Sequence, residues 1–197
     1  IHGGAYRHGT GSIPWYDGTR FAKESNIVTV TINYRLGALG FARIPKAPTS
    51  GINGILDQIA ALKWVQENIE NFGGDPDNVT IAGESAGAFS VATIMAMKES
   101  TGLFHKAIAQ SGAGHHVIAQ EEAQSAGKMF MEALSATSLV EAQRKDIQEV
   151  LAAQKYVEDN AHKVMTKGQL PFYPSITSGY IDDHPIGLFY KGASSNI

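Results

Sequence analysis

Asn78-Val79-Thr80-Ile81-Ala82-Gly83-Glu84-Ser85-Ala86-Gly87 is the stretch whose reading decides the fold. An apolar, β-branched run enters it, and small and apolar residues from Ala86 to Met97 lead out of it. A strand that turns sharply into a helix around a serine tolerates little bulk on either side, because the two backbones pack tightly at the corner. Gly83 and Gly87 meet that need, and the turn lifts the Ser85 hydroxyl clear of the sheet at the positive end of the helix dipole. The spacing predicts strand, elbow and helix in that order, with Ser85 as candidate nucleophile.

A second motif points to the same chemistry. The chain opens Ile1-His2-Gly3-Gly4-Ala5-Tyr6, an apolar residue running into a histidine and small residues. Attack of a hydroxyl on an acyl carbon develops an oxyanion, which backbone N–H groups stabilise only where side chains let them approach. Here the expected donors are Gly4, Ala5 and Ala86, in the pairing of a glycine loop with the N–H that follows the nucleophile. Ala5 stands where a third glycine often occurs and still leaves its N–H available.

Strand and helix alternate on both sides of this elbow. Residues 27–33, Ile-Val-Thr-Val-Thr-Ile-Asn, read as a strand buried on both faces. A short helix is expected before it over 19–25, with Phe21 and Ala22 turned inward, and an irregular stretch after it over 34–51. Asn53 is expected to cap a long helix reaching Phe72, since Ile55, Leu56, Ile59, Leu62, Val65, Ile69 and Phe72 recur at three- and four-residue steps. Gly73-Gly74 ends it and Asp75-Pro76 prevents its continuation. Residues 106–110 read as a further strand. Such alternation means parallel strands with helical crossovers. From 119 the sequence turns alanine- and glutamate-rich, with helices expected over 119–134, 139–153 and 157–167. The organisation expected is a core portion over 1–118, a helical insert over 119–170 lying above the sheet, and an irregular segment over 171–197.

Composition excludes several function classes. The 197 residues are 43% hydrophobic and 18% charged, with a net charge of -3. That is enough apolar material for a packed core, without the basic patch of a nucleic-acid surface or a run of membrane-spanning length. With no cysteine, a disulfide framework, thiolate metal ligation and a cysteine nucleophile are absent from this stretch. His115-His116 lacks the helical spacing of a metal pair, so neither metal nor other cofactor is expected. Asn78-Val79-Thr80 matches a glycosylation sequon but sits at the entry to an expected strand.

Together the motifs resemble one family. HGGAY at 2–6, Tyr16-Asp17-Gly18, Asn33-Tyr34-Arg35-Leu36-Gly37, Leu56-Asp57-Gln58, Trp64-Val65-Gln66-Glu67-Asn68-Ile69, Asn71-Phe72-Gly73-Gly74-Asp75-Pro76, GESAG at 83–87 and Gln110-Ser111-Gly112 look like type-B carboxylesterases. That is the branch of α/β-hydrolases that holds carboxylesterases, cholinesterases and bacterial p-nitrobenzyl esterases. The likeness runs in order to about residue 112 and weakens through the helical region. Pro171-Phe172 to Pro174 is again similar, although Thr177-Ser178 departs from an Asp-Gly often found nearby. The fold implied is α/β, an α/β-hydrolase with a mostly parallel central sheet flanked by helices and a helical insert after the third internal strand, of which this chain covers a part.

The resemblance implies a Ser–Glu/Asp–His triad in that chain order, with Ser85 first. His105 follows the elbow too closely to be the base, His115 and His116 sit in a loop, and His162 lies on an expected amphipathic helix. Asp182-Asp183-His184 places acid and base side by side, which hinders one supporting the other while reaching Ser85. In the family resembled, the acid follows a strand that starts soon after a segment like 191–197 and the histidine comes later still, so the resemblance implies that both lie beyond Ile197, with the first strands also outside the chain. Glu84 is a candidate for electrostatic tuning of the site, or an acid at a helix N-terminus. Ser111 is either a neighbour of the triad or a turn serine. Arg35 and Asp57 are expected to form a buried structural ion pair, while Tyr6, Trp15 and Tyr16 either line an acyl or alcohol pocket or pack. The activity implied is serine carboxylic-ester hydrolysis of a small-molecule ester through an acyl-enzyme. A non-catalytic binding module, or a thioesterase or amidase on the same scaffold, is the alternative. The partners expected are the ester and the rest of the same polypeptide, with no nucleic acid and no membrane, in the cytoplasm of a bacterial-type setting.

Overall fold

Two five-residue strands, β1 (Thr80–Glu84) and β2 (Lys106–Gln110), make the sheet in a computed structural model that describes residues 1–166 and 168–194. They pair in parallel, from Thr80 opposite Lys106 to Glu84 opposite Gln110. Parallel strands need a crossover, and here it is a helix, α4 (Ala86–Ala96), which begins one residue after β1 ends and Ser85 intervenes. Eight of the eleven α4 residues are buried, from Ala86 to Ile94. A helix apolar on nearly every side belongs in the interior, and α4 packs on β1, β2, α3 (Asn53–Asn68) and α8 (Pro185–Tyr190).

The long helix forms as its periodicity predicts. Ile55, Ile59, Leu62, Val65 and Ile69 are buried, Leu56 is half-buried, and Phe72 is exposed beside Trp64, with ring centroids 5.7 Å apart. The regular α-helix stops at Asn68 and tightens into a 3-10 turn over Ile69–Phe72. It is closed by Gly73 at φ 80°, whose N–H bonds the carbonyls of Ile69 and Glu70. Asn53 is not the cap. It is the first helical residue, Ile52 occupies the cap position, and no side-chain capping bond forms.

Downstream, α5 (Gln120–Ala133), α6 (Leu139–Gln143) and α7 (Ile147–Asp159) replace the three helices expected over 119–167. The break falls earlier than the apolar pattern suggested because Asp146 starts α7 with a capping box. Its side chain accepts the Gln148 N–H and Glu149 reaches back to the Asp146 N–H. This D-x-x-E spacing is visible in the sequence. α7 then runs through the expected gap at 154–156; Lys167, the expected end of a third helix, lies outside the described residues. The stretch expected to be irregular carries α8, as well as single bridges between Ile118 and Ser175 and between Thr177 and Ile181. Its last residues, 195–197, also lie outside the described set. No described helix is long and apolar enough to cross a membrane.

Two expectations on the N-terminal side are corrected. Residues 27–33 form no ladder, and Ile27, Val28 and Val30 are 50%, 40% and 41% exposed. β-branched residues favour an extended backbone, but a strand exists only against a hydrogen-bonded neighbour. The segment runs beside the loop at 11–18, where Gly11 crosses the Ile32 carbonyl and donates its N–H to the Asn33 side chain. The helix before it, α1 (Thr19–Ser25), buries nothing, and Phe21 is 61% exposed. The strands show the same one-sidedness: Ile81 and Gly83 are covered by α4, whereas Ala82, Glu84 and Ile108 are open.

Arg35 pairs with Asp57 and ties the loop after residue 33 to α3 as the sequence suggested, but the pair is not buried: the two side chains are 51% and 26% exposed. Arg35 Nε donates to Asp57 Oδ2 at 2.7 Å, its Nη2 to Oδ1 at 2.6 Å and its backbone N–H to Oδ2 at 3.0 Å. Burial pushes the Asp57 carboxyl up, but the hydrogen bonds from Arg35 outweigh it and hold the carboxyl below its ordinary value. The folded state thus prefers the ionised form, and its contribution is present above the unfolded carboxylate pKa and lost as pH falls through the lower, folded one. Asp57→Asn is expected to cost about 1 kcal/mol at neutral pH, the size of a good bidentate surface pair. The difference from wild type should shrink below about pH 4, as measured by urea unfolding at both pH values.

Candidate active site

Ser85 is the residue between β1 and α4, and its backbone sits at φ 54° and ψ -120°. A non-glycine residue there stores about 1–3 kcal/mol and persists only when its surroundings over-determine it. They do so from both sides. The Ser85 N–H donates to the Gln110 carbonyl at the end of β2 at 2.9 Å, and its carbonyl accepts the Phe89 N–H in the first turn of α4 at 3.0 Å. A Cβ on Gly83 would lie 2.3 Å from the Gly87 carbonyl, and one on Gly87 would lie 2.2 Å from the carbonyl of Ile1. Both glycines are required by backbone contact, as the motif predicts.

That second contact brings the opening loop to the elbow. The Ile1 amino group donates to the Ala82 carbonyl at 2.7 Å. Gly3 follows so closely that a Cβ on it would meet the Glu84 carbonyl at 2.8 Å and the Ser85 Cβ at 3.2 Å. The loop then curls through three successive positive-φ residues, Gly4 at 109°, Ala5 at 53° and Tyr6 at 56°, and closes with the Arg7 and His8 N–H groups on the Gly4 carbonyl. Among the described residues, the N–H groups of Gly4, Ala5 and Ala86 donate to no acceptor within the chain. Ala86 opens α4, where the free N–H groups and the helix dipole favour negative charge.

Tyr16, which the sequence reading left as pocket wall or packing, and Tyr34, to which it gave no role, hold this loop. Tyr34 stacks on the His2 ring at 4.4 Å, and its hydroxyl donates to the His2 carbonyl at 2.8 Å. The Gly3 N–H donates to the Tyr16 hydroxyl at 3.0 Å. Tyr6 is fully buried among Phe41, Tyr173 and Tyr34, and its hydroxyl accepts from Ser90, which accepts from Gln58 Nε2. Burial raises the Tyr6 and Tyr34 hydroxyls well above their ordinary pKa, so both remain neutral. Tyr6 is packed, and Trp15 is 89% exposed. Periodicity gave no sign of these bonds, because they join residues far apart in sequence.

Glu84 ends β1 exposed, with Oε2 3.0 Å from where a Gly3 Cβ would stand, and it belongs to the strand and not to the helix. Ser111 follows Gln110 at φ 57°, one residue from the carbonyl that holds Ser85. His105 lies at the opposite end of β1, where its Nδ1 accepts the Val79 N–H. His116 stacks on Phe89 at 3.8 Å, His184 stands at the N-terminal cap position of α8 without a side-chain capping bond, and His162 lies on the 3-10 turn after α7. No described side chain hydrogen-bonds the Ser85 hydroxyl, and no described cluster of His, Asp and Glu could hold a metal ion. A large open groove between Ile13, Pro14, Ile27, Val28 and Phe72 does not include Ser85.

A strand–serine–helix elbow, with a glycine loop folded against it and a parallel partner strand, is the signature of the α/β-hydrolase class. The comparisons agree in sequence and structure. The chain is 41% identical to para-nitrobenzyl esterase of Bacillus subtilis, over all of this chain and 40% of that protein. It is 35% identical to an acetylcholinesterase of Myxine glutinosa, over 98% of this chain and 58% of the relative. A solved PNB esterase superposes with a TM-score of 0.92 at 41% identity, covering all of this chain and 42% of the other. The carboxylesterase family model matches residues 1–197, and the chain belongs to that family. It spans about two fifths of the length of the Bacillus relative.

Two substitutions test the geometry. Gly83→Ala drives a methyl into the Gly87 backbone and is expected to destabilise by at least about 2 kcal/mol, read from urea unfolding. His2 is buried; burial lowers its pKa against the raising effect of the bond to the Gly3 carbonyl. The folded state therefore prefers the neutral ring, and stability should fall as pH drops below about 6.5 and on through the lower, folded pKa. His2→Asn should flatten that part of the stability–pH curve.

Proposed function

We propose that this chain carries the nucleophile and oxyanion site of a serine carboxylic-ester hydrolase that acts on small carboxylic esters through an acyl-enzyme. The observation that carries the reading is the approach of the Gly3 backbone to Ser85 at the open end of α4. In this reading Ser85 Oγ attacks the ester carbonyl carbon and gives its proton to a histidine. The resulting oxyanion accepts hydrogen bonds from the Gly4, Ala5 and Ala86 N–H groups, and the alcohol leaves with the proton. Water then attacks the acyl-enzyme by the same route and releases the acid. Each donor acts mainly in the transition state; losing one costs about 2.7–4 kcal/mol of barrier in a well-studied protease. Glu84 is assigned an electrostatic role beside Gly3, and Ser111 a place behind the triad.

The histidine and the acid are assigned to polypeptide outside residues 1–197. The position of His105 at the far end of β1 and the share of the relatives' length that is matched support this. The lack of cysteine supports a cytoplasmic setting.

A fluorophosphonate probe is expected to label Ser85 in the intact polypeptide. Hydrolysis of a short-chain nitrophenyl ester should fall by orders of magnitude in Ser85→Ala. An adduct on another serine, found by peptide mass spectrometry, overturns the assignment. Residues 1–197 expressed alone are expected to give no such turnover. Turnover lost on Ser85→Ala in that chain would place the base among its own seven histidines.

A further inference from the structure

The helical region after β2 is tied to the opening loop by a closed ring of hydrogen bonds. Gln154 and Glu158 are one turn apart on α7, so their side chains share a face. Gln154 Nε2 donates to Glu158 Oε1 at 3.0 Å, and Glu158 Oε2 accepts from Arg7 Nη2 at 2.6 Å. On its other side, Gln154 Oε1 accepts the Ala38 N–H at 2.9 Å, and the neighbouring Gly37 N–H donates to the Tyr6 carbonyl at 2.7 Å. Tyr6 and Arg7 are adjacent, so the ring closes.

Its composition is restrictive. Gly37 sits at φ 55°, and a Cβ there would lie 2.3 Å from Gln154 Oε1, so only glycine lets the amide reach the backbone. The Glu158 side chain is 12% exposed and the Arg7 side chain 44%, which places the acid end of the pair in a partly desolvated site. Val150, Ala153 and Val157 bury the adjoining face of α7 and hold its register.

The ring grips the loop where it is most strained. Gly4, Ala5 and Tyr6 all have positive φ, and two of them are not glycine. Such a run needs contacts on both flanks to persist. Ser90 holds the Tyr6 hydroxyl from the α4 side, and the ring holds the Tyr6 carbonyl and Arg7 from the α7 side. We propose that Glu158 and Gln154 are positioning residues for the oxyanion loop: α7 sets the direction of the Gly4 and Ala5 N–H groups through Arg7 and Gly37. The consequence for catalysis rests on the esterase reading above; the mechanical tie does not.

Hydrogen exchange on the intact polypeptide separates the two. In Glu158→Gln, Glu158→Ala and Gln154→Ala, exchange of the Arg7, His8 and Gly37 amides is expected to quicken by about tenfold or more, the loss of a charge-assisted bond. The amides of β1 and β2 should keep their rates. With a nitrophenyl ester, kcat should fall about 10- to 100-fold at unchanged KM, because misdirected oxyanion donors affect the transition state alone. The swap Arg7→Glu with Glu158→Arg should recover most of both effects. Unchanged loop exchange overturns the proposal. So does equal acceleration of the strand amides, which marks a global loss of stability, or a swap no better than the single variants. If wild type shows no Ser85-dependent turnover, the esterase reading fails, while loop exchange still decides the tie.

Discussion

At Ser85, the backbones of residues 1–3 and 83–87 approach each other more closely than a methyl group allows. Gly87 against Ile1 and Gly3 against Glu84 are contacts of this kind, and Gly83 against Gly87 is an equally close one within the elbow; each would become a clash with any other residue. The arrangement of the site depends on this approach. It places an open helix end, a serine in a strained conformation and a glycine loop at one point, and the strain is borne by bonds to β2 and α4 on either side.

Backbone approach alone does not orient a loop. Orientation comes from hydroxyls and one imidazole drawn from separate segments: Tyr16 on the Gly3 N–H, Tyr34 on the His2 carbonyl, Ser90 on Tyr6 and the His2 ring on the Gly3 carbonyl. Most of these groups are buried, and burial keeps His2, Tyr6 and Tyr34 neutral. Neutral donors and acceptors in an apolar setting hold fixed directions without bringing a charge of their own to the loop.

The elbow was legible because its demand is steric and local: two glycines four residues apart, with a strand pattern before and a helix pattern after. The α3 face and the Gly73 stop were legible for the same reason, since a 3.6-residue period and a positive-φ cap are properties of neighbouring residues. The start of α7 was misread even though the Asp146–Glu149 spacing announced it, because the apolar pattern was followed instead of the cap. Residues 27–33 show the opposite case. Their β-branched composition states a preference, yet pairing and burial depend on partners that composition does not name. Phe21 and Phe72, exposed on elements of the predicted kind, illustrate the same limit.

By itself, then, the sequence determined the strand–serine–helix elbow, the parallel α/β arrangement around it, the glycine loop at the N-terminus and the family to which the chain belongs, since each is written in residues close together along the chain. Only the tertiary structure decided that Gly3 lies against Ser85, that Tyr16 and Tyr34 hold that loop, and that Glu158 on α7 reaches Arg7 across 151 positions of sequence. The physical reason is the range of the forces involved. Steric limits and helix periods act between neighbours and leave a pattern, whereas a hydrogen bond between distant segments exists only after packing has brought its two ends together.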